Sequence, residues 1–255
     1  MNADPGRRRF VWRFLTGLSA VVLAGCDAAS RTSWVPKVLG VGEKANKGSQ
    51  RLLLSKTSLA QEFSEADLSP DFRSNGTAEP EDETYRQHAA NGFKDWKLKI
   101  DGLVRTPTEL SLAQLRAMKS RTQITRHDCV EGWSAIGKWT GVPLSEVLAL
   151  AQPTPDARFV VFHCADPMDQ AGTRYYESID LEDAHHPQTL LAYELNGKAL
   201  PVANGAPVRV RIERQLGYKM AKYIMRVELV ASFAKIGGGR GGYWEDQGYE
   251  WYAGI

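Results

Sequence analysis

Apolar and polar residues alternate through Trp96-Lys97-Leu98-Lys99-Ile100, the period-two pattern of a half-buried strand, and Asp101-Gly102 supplies a turn after it. Val208-Arg209-Val210-Arg211-Ile212 alternates in the same way, and residues 225–230 add further strand content. Phe159-Val160-Val161-Phe162 is a short run of β-branched and aromatic side chains that reads as a buried strand. Two segments carry helical signals instead. Ser111 precedes Leu112 and Leu115 with Gln114 three residues on, a capping box. Over residues 143–151, Pro143 suits a first turn and Leu144, Val147 and Leu148 form an apolar stripe. Residues 178–182 lead towards another short helix. Short strands interspersed irregularly with short helices predict an α+β domain rather than a regular βαβ repeat. No self-similarity at a fixed period suggests a solenoid or propeller.

The pattern changes at both ends. Arg7-Arg8-Arg9-Phe10 precedes an apolar run over residues 14–25 that falls short of the roughly 20 residues needed to cross a bilayer. Residues 1–26 therefore have the layout of an export signal. The paired arginines resemble the signal of the route that exports folded proteins. Leu23-Ala24-Gly25-Cys26 resembles a bacterial lipobox, which makes Cys26 the lipidated first residue of the mature chain, and Asp27 resembles the signal for retention at the inner membrane. The location this implies is the periplasm, with a lipid anchor on Cys26 in the inner membrane; the alternative is a plain cleaved signal. Residues 27–71 mix Ser, Lys, Gly and Asn, with Leu52-Leu53-Leu54 and Leu59 enough for one short element, and read as a tether that becomes a strap. Residues 77–84 are acidic and turn-rich, which argues against a buried element there. Residues 232–255 hold Gly237-Gly238-Gly239, Gly241-Gly242 and several aromatic residues, the composition of a C-terminal strap docked over a pocket, or else of a tail for a membrane partner. Residues 72–231 are left as the main domain.

Composition narrows the function. A chain of 255 residues, 43% hydrophobic and 24% charged, has room for one core-burying domain plus a leader and is too polar for a multi-span membrane protein. Thirty-two Lys and Arg against thirty Asp and Glu leave a net charge of +2, too even for a nucleic-acid-binding field. Three cysteines are too few for a disulfide scaffold, and without Cys-x-x-Cys-His or a cysteine cluster the chain carries no haem or iron–sulfur motif.

The chemistry concentrates at Thr125-Arg126-His127-Asp128-Cys129-Val130-Glu131-Gly132-Trp133-Ser134, where polar and ionisable side chains surround one cysteine. Zinc is disfavoured, because His127-x-Cys129 has no second pair to complete four ligands. A buried structural thiol and a Cys129–Cys164 disulfide both stay open, since an exported protein often pairs its remaining cysteines. His185-His186-Pro187 reads as a turn near a helix end rather than a metal pair.

Cys129-Val130-Glu131-Gly132-Trp133-Ser134 followed by Trp139-Thr140-Gly141-Val142-Pro143-Leu144 resembles the signature of the sulfite oxidase-like molybdopterin-dependent oxidoreductases, within them the periplasmic methionine sulfoxide reductase catalytic subunits. Ile100-Asp101-Gly102 upstream, and Pro187-Gln188-Thr189, Asn204-Gly205-Ala206-Pro207-Val208-Arg209 and Leu216-Gly217-Tyr218-Lys219-Met220-Ala221-Lys222 downstream, recur in the same order. The resemblance implies a sulfite oxidase-type α+β domain of mixed sheets and short helices that binds a molybdenum–molybdopterin cofactor, with Cys129 as the thiolate ligand of the metal. Soft sulfur suits that metal. It further implies catalytic roles for Cys129 and Glu131, the latter orienting substrate or moving a proton, with a structural salt bridge as the alternative. Asn75, Gly76, Cys164, Asn204, Arg209, Met220, Ala221 and Lys222 are implied as cofactor contacts; a related reductase subunit has threonine at the position of Cys164. The implied activity is oxygen-atom or two-electron transfer, reductase-like on a sulfoxide or N-oxide. The alternatives are sulfite oxidation, with Arg126, Arg174 and Arg214 as candidates to hold the anion, and a non-catalytic lipoprotein with a Cys129–Cys164 disulfide. The implied partners are a separate electron carrier, either a membrane haem protein or a periplasmic cytochrome, and a small-molecule or protein-bound substrate, with no nucleic acid.

Overall fold

The structure, a computed structural model, describes residues 35–53 and 55–255. The export signal and Cys26 lie outside the described residues. The chain divides into two units, residues 1–50 and 51–255. Helix α1 (Val35–Leu53), 19 residues long, replaces the one short element expected in the tether. Beyond Pro36 the segment has no proline, and its Lys, Glu, Ala, Gln and Leu residues outweigh three glycines in helix propensity. Among the described residues no helix is long and apolar enough to cross a membrane.

Two five-stranded sheets build the second unit. The first runs β2 (Thr108–Ser111), β1 (Lys97–Gly102), β10 (Ile224–Val230), β5 (Phe159–Pro167), β6 (Arg174–Asp180), with β1 and β10 parallel and the other neighbours antiparallel. The second runs β3 (Arg121–Cys129), β4 (Trp133–Pro143), β7 (Leu190–Leu195), β8 (Lys198–Ala199), with β9 (Arg209–Arg211) also paired to β7. Short helices connect them: α2 (Glu83–Ala90), α3 (Leu112–Ala117), α4 (Leu144–Ala151), α5 (Leu181–Ala184) and, in the C-terminal segment, α6 (Tyr243–Asp246). The class is α+β, as expected. Ser111 caps α3 and exchanges hydrogen bonds with Gln114 as the capping box requires. Pro143 stands one residue earlier than expected, as the N-cap of α4. Asp101-Gly102 continues β1 instead of turning, with Gly102 at φ +84°, where a Cβ would stand 2.3 Å from the Leu229 carbonyl oxygen.

Both sheets contribute to one core. Leu98 and Ile100 of β1, Val160 and Phe162 of β5 and Val227 and Leu229 of β10 join Val142, Leu191, Val210 and the α4 stripe Leu144, Val147 and Leu148. Each such side chain contributes about 1.5–3 kcal/mol by leaving water. A smaller cluster sets Phe72 edge-on to Trp139, with Ala135, Ala192, Leu195 and Leu200 around them. Phe72 belongs to a segment that crosses the β3–β4 hairpin, where Phe63 N donates to Ile124 O and Ser69 N to Ile136 O. The C-terminal segment returns over the first sheet, bridging Glu177 at Gly242 and Gln215 at Gly254.

Candidate active site

Cys129 sits at the tip of the β3–β4 hairpin, paired with Trp133 across the loop Val130-Glu131-Gly132. Gly132 takes φ +85°, a conformation open to glycine at little steric cost, and its N–H closes the turn on the Cys129 carbonyl. The turn displays the thiol at a strand end rather than inside the sheet. Glu131, in the same loop, accepts hydrogen bonds from the Trp133 indole (3.0 Å) and the Gly76 backbone N–H (3.3 Å). The indole bond above all holds its carboxyl below the usual range, so it is ionised. Burial pushes the Cys129 thiol the other way, and the neighbouring Glu131 charge adds to that rise.

Behind the thiol, β3 buries a polar face: Gln123, Thr125 and His127 all point inward. Arg211 Nη1 donates to His127 Nδ1 at 3.0 Å, so the imidazole proton belongs on Nε2, which is buried without a partner. Burial, then the charges of Arg211, Arg209 and Lys222, keep this imidazole neutral. Its ring closes against Gly217, where a Cβ would stand 2.5 Å from it.

A layer of buried cations lies beneath. Arg211 is matched by a bidentate pair with Glu213 at 3.0 and 2.7 Å. Arg209 is not: its two Nη atoms donate to the Asn204 and Met220 carbonyls, its Nε has no partner, and burial beside Arg211 brings its pKa down to about 9. Lys222 donates to the carbonyls of Asn75 (2.6 Å), Thr77 and Ala203 (3.0 Å), and burial together with Arg209 lowers it to about 7. Asp166 is 5% exposed with Oδ1 unpartnered, and burial raises its carboxyl to about 6. Arg209 and Lys222 thus donate to backbone carbonyls rather than to a carboxylate.

These elements enclose a cleft of about 240 Å³. Of the residues expected from sequence, Asn75, Gly76, Cys129, Glu131, Met220, Ala221 and Lys222 line it. Arg209, Asn204 and Cys164 do not line it: Arg209 and Asn204 lie behind the Met220-Lys222 stretch, and Cys164 is buried in β5 opposite Ile224, its thiol pushed well above the ordinary value by burial. Cys129 and Cys164 are both free, which overturns the disulfide alternative. Their strands belong to different sheets, and of the two thiols only that of Cys129 lines the cleft. Arg126, Arg174 and Arg214 pair with Asp128, Asp82 and Asp183, and none lines the cleft. Sequence reasoning missed Asp166, Tyr175, Tyr218, Trp244 and Tyr249, which do. The aromatic tail was visible; nothing local marked Asp166 or Tyr175.

The profile of the oxidoreductase molybdopterin binding domain matches residues 86–235. The chain belongs to the molybdopterin-binding oxidoreductases. It is 38% identical over 98% of its length to a putative protein-methionine-sulfoxide reductase subunit of Azospira oryzae, covering 88% of that protein. It is 41% identical over 58% of its length to the protein-methionine-sulfoxide reductase catalytic subunit MsrP of Xanthomonas axonopodis pv. citri, and 40% identical over the same share to that of Xanthomonas campestris pv. campestris. The match covers 50% of each of these two proteins. The solved sulfane dehydrogenase SoxCD of Paracoccus pantotrophus aligns at a TM-score of 0.49 and 22% identity, over 55% of this chain and 39% of its own.

The donor set of this molybdopterin-binding oxidoreductase fits its family's anionic cofactor. A soft thiol faces the cleft, Lys222 is a buried cation at its wall, and Asn75 Oδ1, Arg209 Nε and His127 Nε2 are buried polar atoms without partners around it. Among the described residues no three His, Cys, Asp or Glu side chains gather as a metal site.

Proposed function

We propose that the protein is an exported reductase of sulfoxides, with protein-bound methionine sulfoxide as its substrate and Cys129 as the protein ligand of molybdenum. One observation carries the choice of reaction. A sulfite site needs clustered cations for a divalent anion, whereas all three candidate arginines are paired elsewhere and the cleft wall is built from Tyr175, Tyr218, Trp244, Tyr249 and Met168 with Lys222 as its one cationic side chain among the described residues. Such a wall suits a neutral, amphiphilic sulfoxide. The names of the relatives support the same substrate class.

Molybdenum–molybdopterin supplies two-electron, oxygen-accepting chemistry when bound. The chain's part begins with the thiol: Cys129 is protonated in the cofactor-free cleft and must lose that proton to become a ligand. Glu131, ionised and in the same loop, is placed to relay that proton to solvent, and the Trp133 and Gly76 hydrogen bonds hold its carboxylate in place. Lys222, Asn75 and Gly76, with the backbone of Met220 and Ala221, would hold the anionic organic part. Arg209, Asn204 and Cys164 support that surface from behind, Arg209 by its bond to the Met220 carbonyl. Sulfoxide reduction consumes two protons and two electrons per sulfide and water formed, and a separate electron carrier at the membrane delivers the electrons. Export through the paired-arginine signal, cleavage before Cys26 and a lipid anchor there would place the enzyme at the periplasmic face of the inner membrane.

Protein from a molybdate-fed host should hold about one molybdenum per chain, with loss to background in Cys129→Ser. It should oxidise reduced viologen when given a methionine-sulfoxide peptide. Reduction of ferricyanide by sulfite, without sulfoxide turnover, would reverse the assignment. Cys26→Ala should move the protein from the membrane to the soluble periplasmic fraction.

A further inference from the structure

Residues 237–255 lie beyond the span matched by the family profile, yet two of their side chains, Trp244 and Tyr249, form part of the cleft wall. Their rings are 5.4 Å apart at 30°, and Tyr249 meets Tyr218, another wall residue, edge-on at 5.2 Å. Trp244 packs on the main core, whereas Tyr249 is 42% exposed and Val130, across the cleft, 47%. The wall thus runs from a rigid inner ring to a mouth open to solvent.

An unusual device holds α6 against the cleft floor. Lys219, next to Tyr218, is fully buried and donates to both Glu177 of β6 and Glu245 of α6, themselves buried. Two carboxylates on one ammonium leave one negative charge too many. Burial raises Glu177 well above the usual carboxylate range and Glu245 adds to the rise. The glycines beside the cluster are required by it: a Cβ on Gly242 would stand 2.0 Å from Glu245 Oε2, and one on Gly241 2.5 Å from the Trp251 ring. Glu245 therefore fixes the residue preceding it, Trp244.

We propose that Trp244 and Tyr249 grip the alkyl side chain of a methionine sulfoxide carried on a peptide, and that Glu245, clamped by Lys219, is the positioning residue that sets this wall. The proposal rests on the sulfoxide-reductase reading above and names which residues confer its substrate preference. The wall presents aromatic faces and edges, which suit an unbranched sulfur-containing chain with the sulfur about 5 Å from a ring. The open side at Tyr249 and Val130 leaves room for the peptide to continue into solvent.

The test compares a methionine-sulfoxide peptide with dimethyl sulfoxide, using the full-length holoenzyme and reduced viologen. Trp244→Ala and Tyr249→Ala should raise KM for the peptide by about tenfold or more while kcat changes far less, the split expected when binding common to ground and transition states is lost. The effect on dimethyl sulfoxide, which has no side chain to grip, should be smaller. Trp244→Phe should restore most of the peptide KM. A second readout needs no turnover: a methionine-sulfone peptide should quench tryptophan fluorescence, and Trp244→Phe should abolish the quench. Glu245→Gln should reproduce the KM increase and shift the wavelength of Trp244 emission; unchanged KM and emission would overturn its positioning role. Variants that reduce sulfoxide with the wild-type peptide KM and keep the quench would overturn the wall itself. A wild-type protein that oxidises sulfite and reduces no sulfoxide would overturn the parent reading, a result distinct from either.

Discussion

Cys129, the proposed metal ligand, starts here as a poor one. Burial favours its protonated form, so cofactor uptake near pH 7 should release about one proton per chain in a weakly buffered titration, and Cys129→Ser should release none. Lys222 offers a complementary measurement. Its folded value of about 7 lies below its ordinary 10.5, so between those pH values the folded protein binds fewer protons than the unfolded chain. Stability of the cofactor-free protein should therefore rise as pH goes from 7 to 10.5. The destabilising contribution is fully present below pH 7. Urea denaturation across this range should show a slope that Lys222→Met removes, and a bound anionic cofactor should flatten it by favouring the charged ammonium. Asp166 works in the opposite direction: with its carboxyl raised to about 6, stability falls as pH rises from its ordinary 3.8 to that value, and Asp166→Asn should remove the fall. Cys129 and Lys222 were legible in the sequence as chemistry. Their protonation states were not, because desolvation depends on neighbours remote along the chain.

The β3–β4 hairpin shows what one element requires to carry the thiol. Gly141 of β4 has no room for a side chain, since a Cβ would stand 2.3 Å from the Leu191 backbone oxygen of β7, and backbone in a sheet cannot yield. Gly141→Ala should cost more than the about 1–3 kcal/mol usual for overpacking. Gly217→Ala meets the His127 ring at 2.5 Å and should cost within that range, because a side chain can shift. Gly132→Ala meets nothing and should lose only about 1 kcal/mol, from its positive φ. Chemical denaturation of the three variants should give that order. The same hairpin explains a gap in the sequence reading. Strands β1 and β5 were legible because they bury Leu98, Ile100, Val160 and Phe162, and α3 because Ser111 and Gln114 spell its cap. Strand β3 buries Gln123, Thr125 and His127, and β4 turns Gly137 and Gly141 inward, so neither shows apolar alternation. Polar residues can fill that face because tertiary partners satisfy them, as Glu213 and the Gln188 carbonyl do for Gln123.

At the scale of the molecule the cleft is an assembly of segments far apart in the chain: the stretch around Asn75, the hairpin tip, the end of β5, residues 217–222 and the C-terminal tail. Truncation after Ile236 removes Trp244, Tyr249 and the Trp251 ring that packs on Phe159 and Phe233. It also leaves buried Lys219 with Glu177 alone of its two carboxylates. Thermal unfolding of the truncated protein should come several degrees lower, as losing about 1.5–3 kcal/mol per buried aromatic implies. The α+β class, the capped helices, the apolar strands and the family were all determined by the sequence alone, through local periodicity and short motifs. Tertiary structure alone decided that the two cysteines stay apart, that Arg126, Arg174 and Arg214 face carboxylates instead of the cleft, and that Lys222 and Arg209 lie buried with backbone carbonyls as their acceptors. Those are matters of distance and desolvation between residues up to a hundred positions apart or more, and no local pattern encodes them.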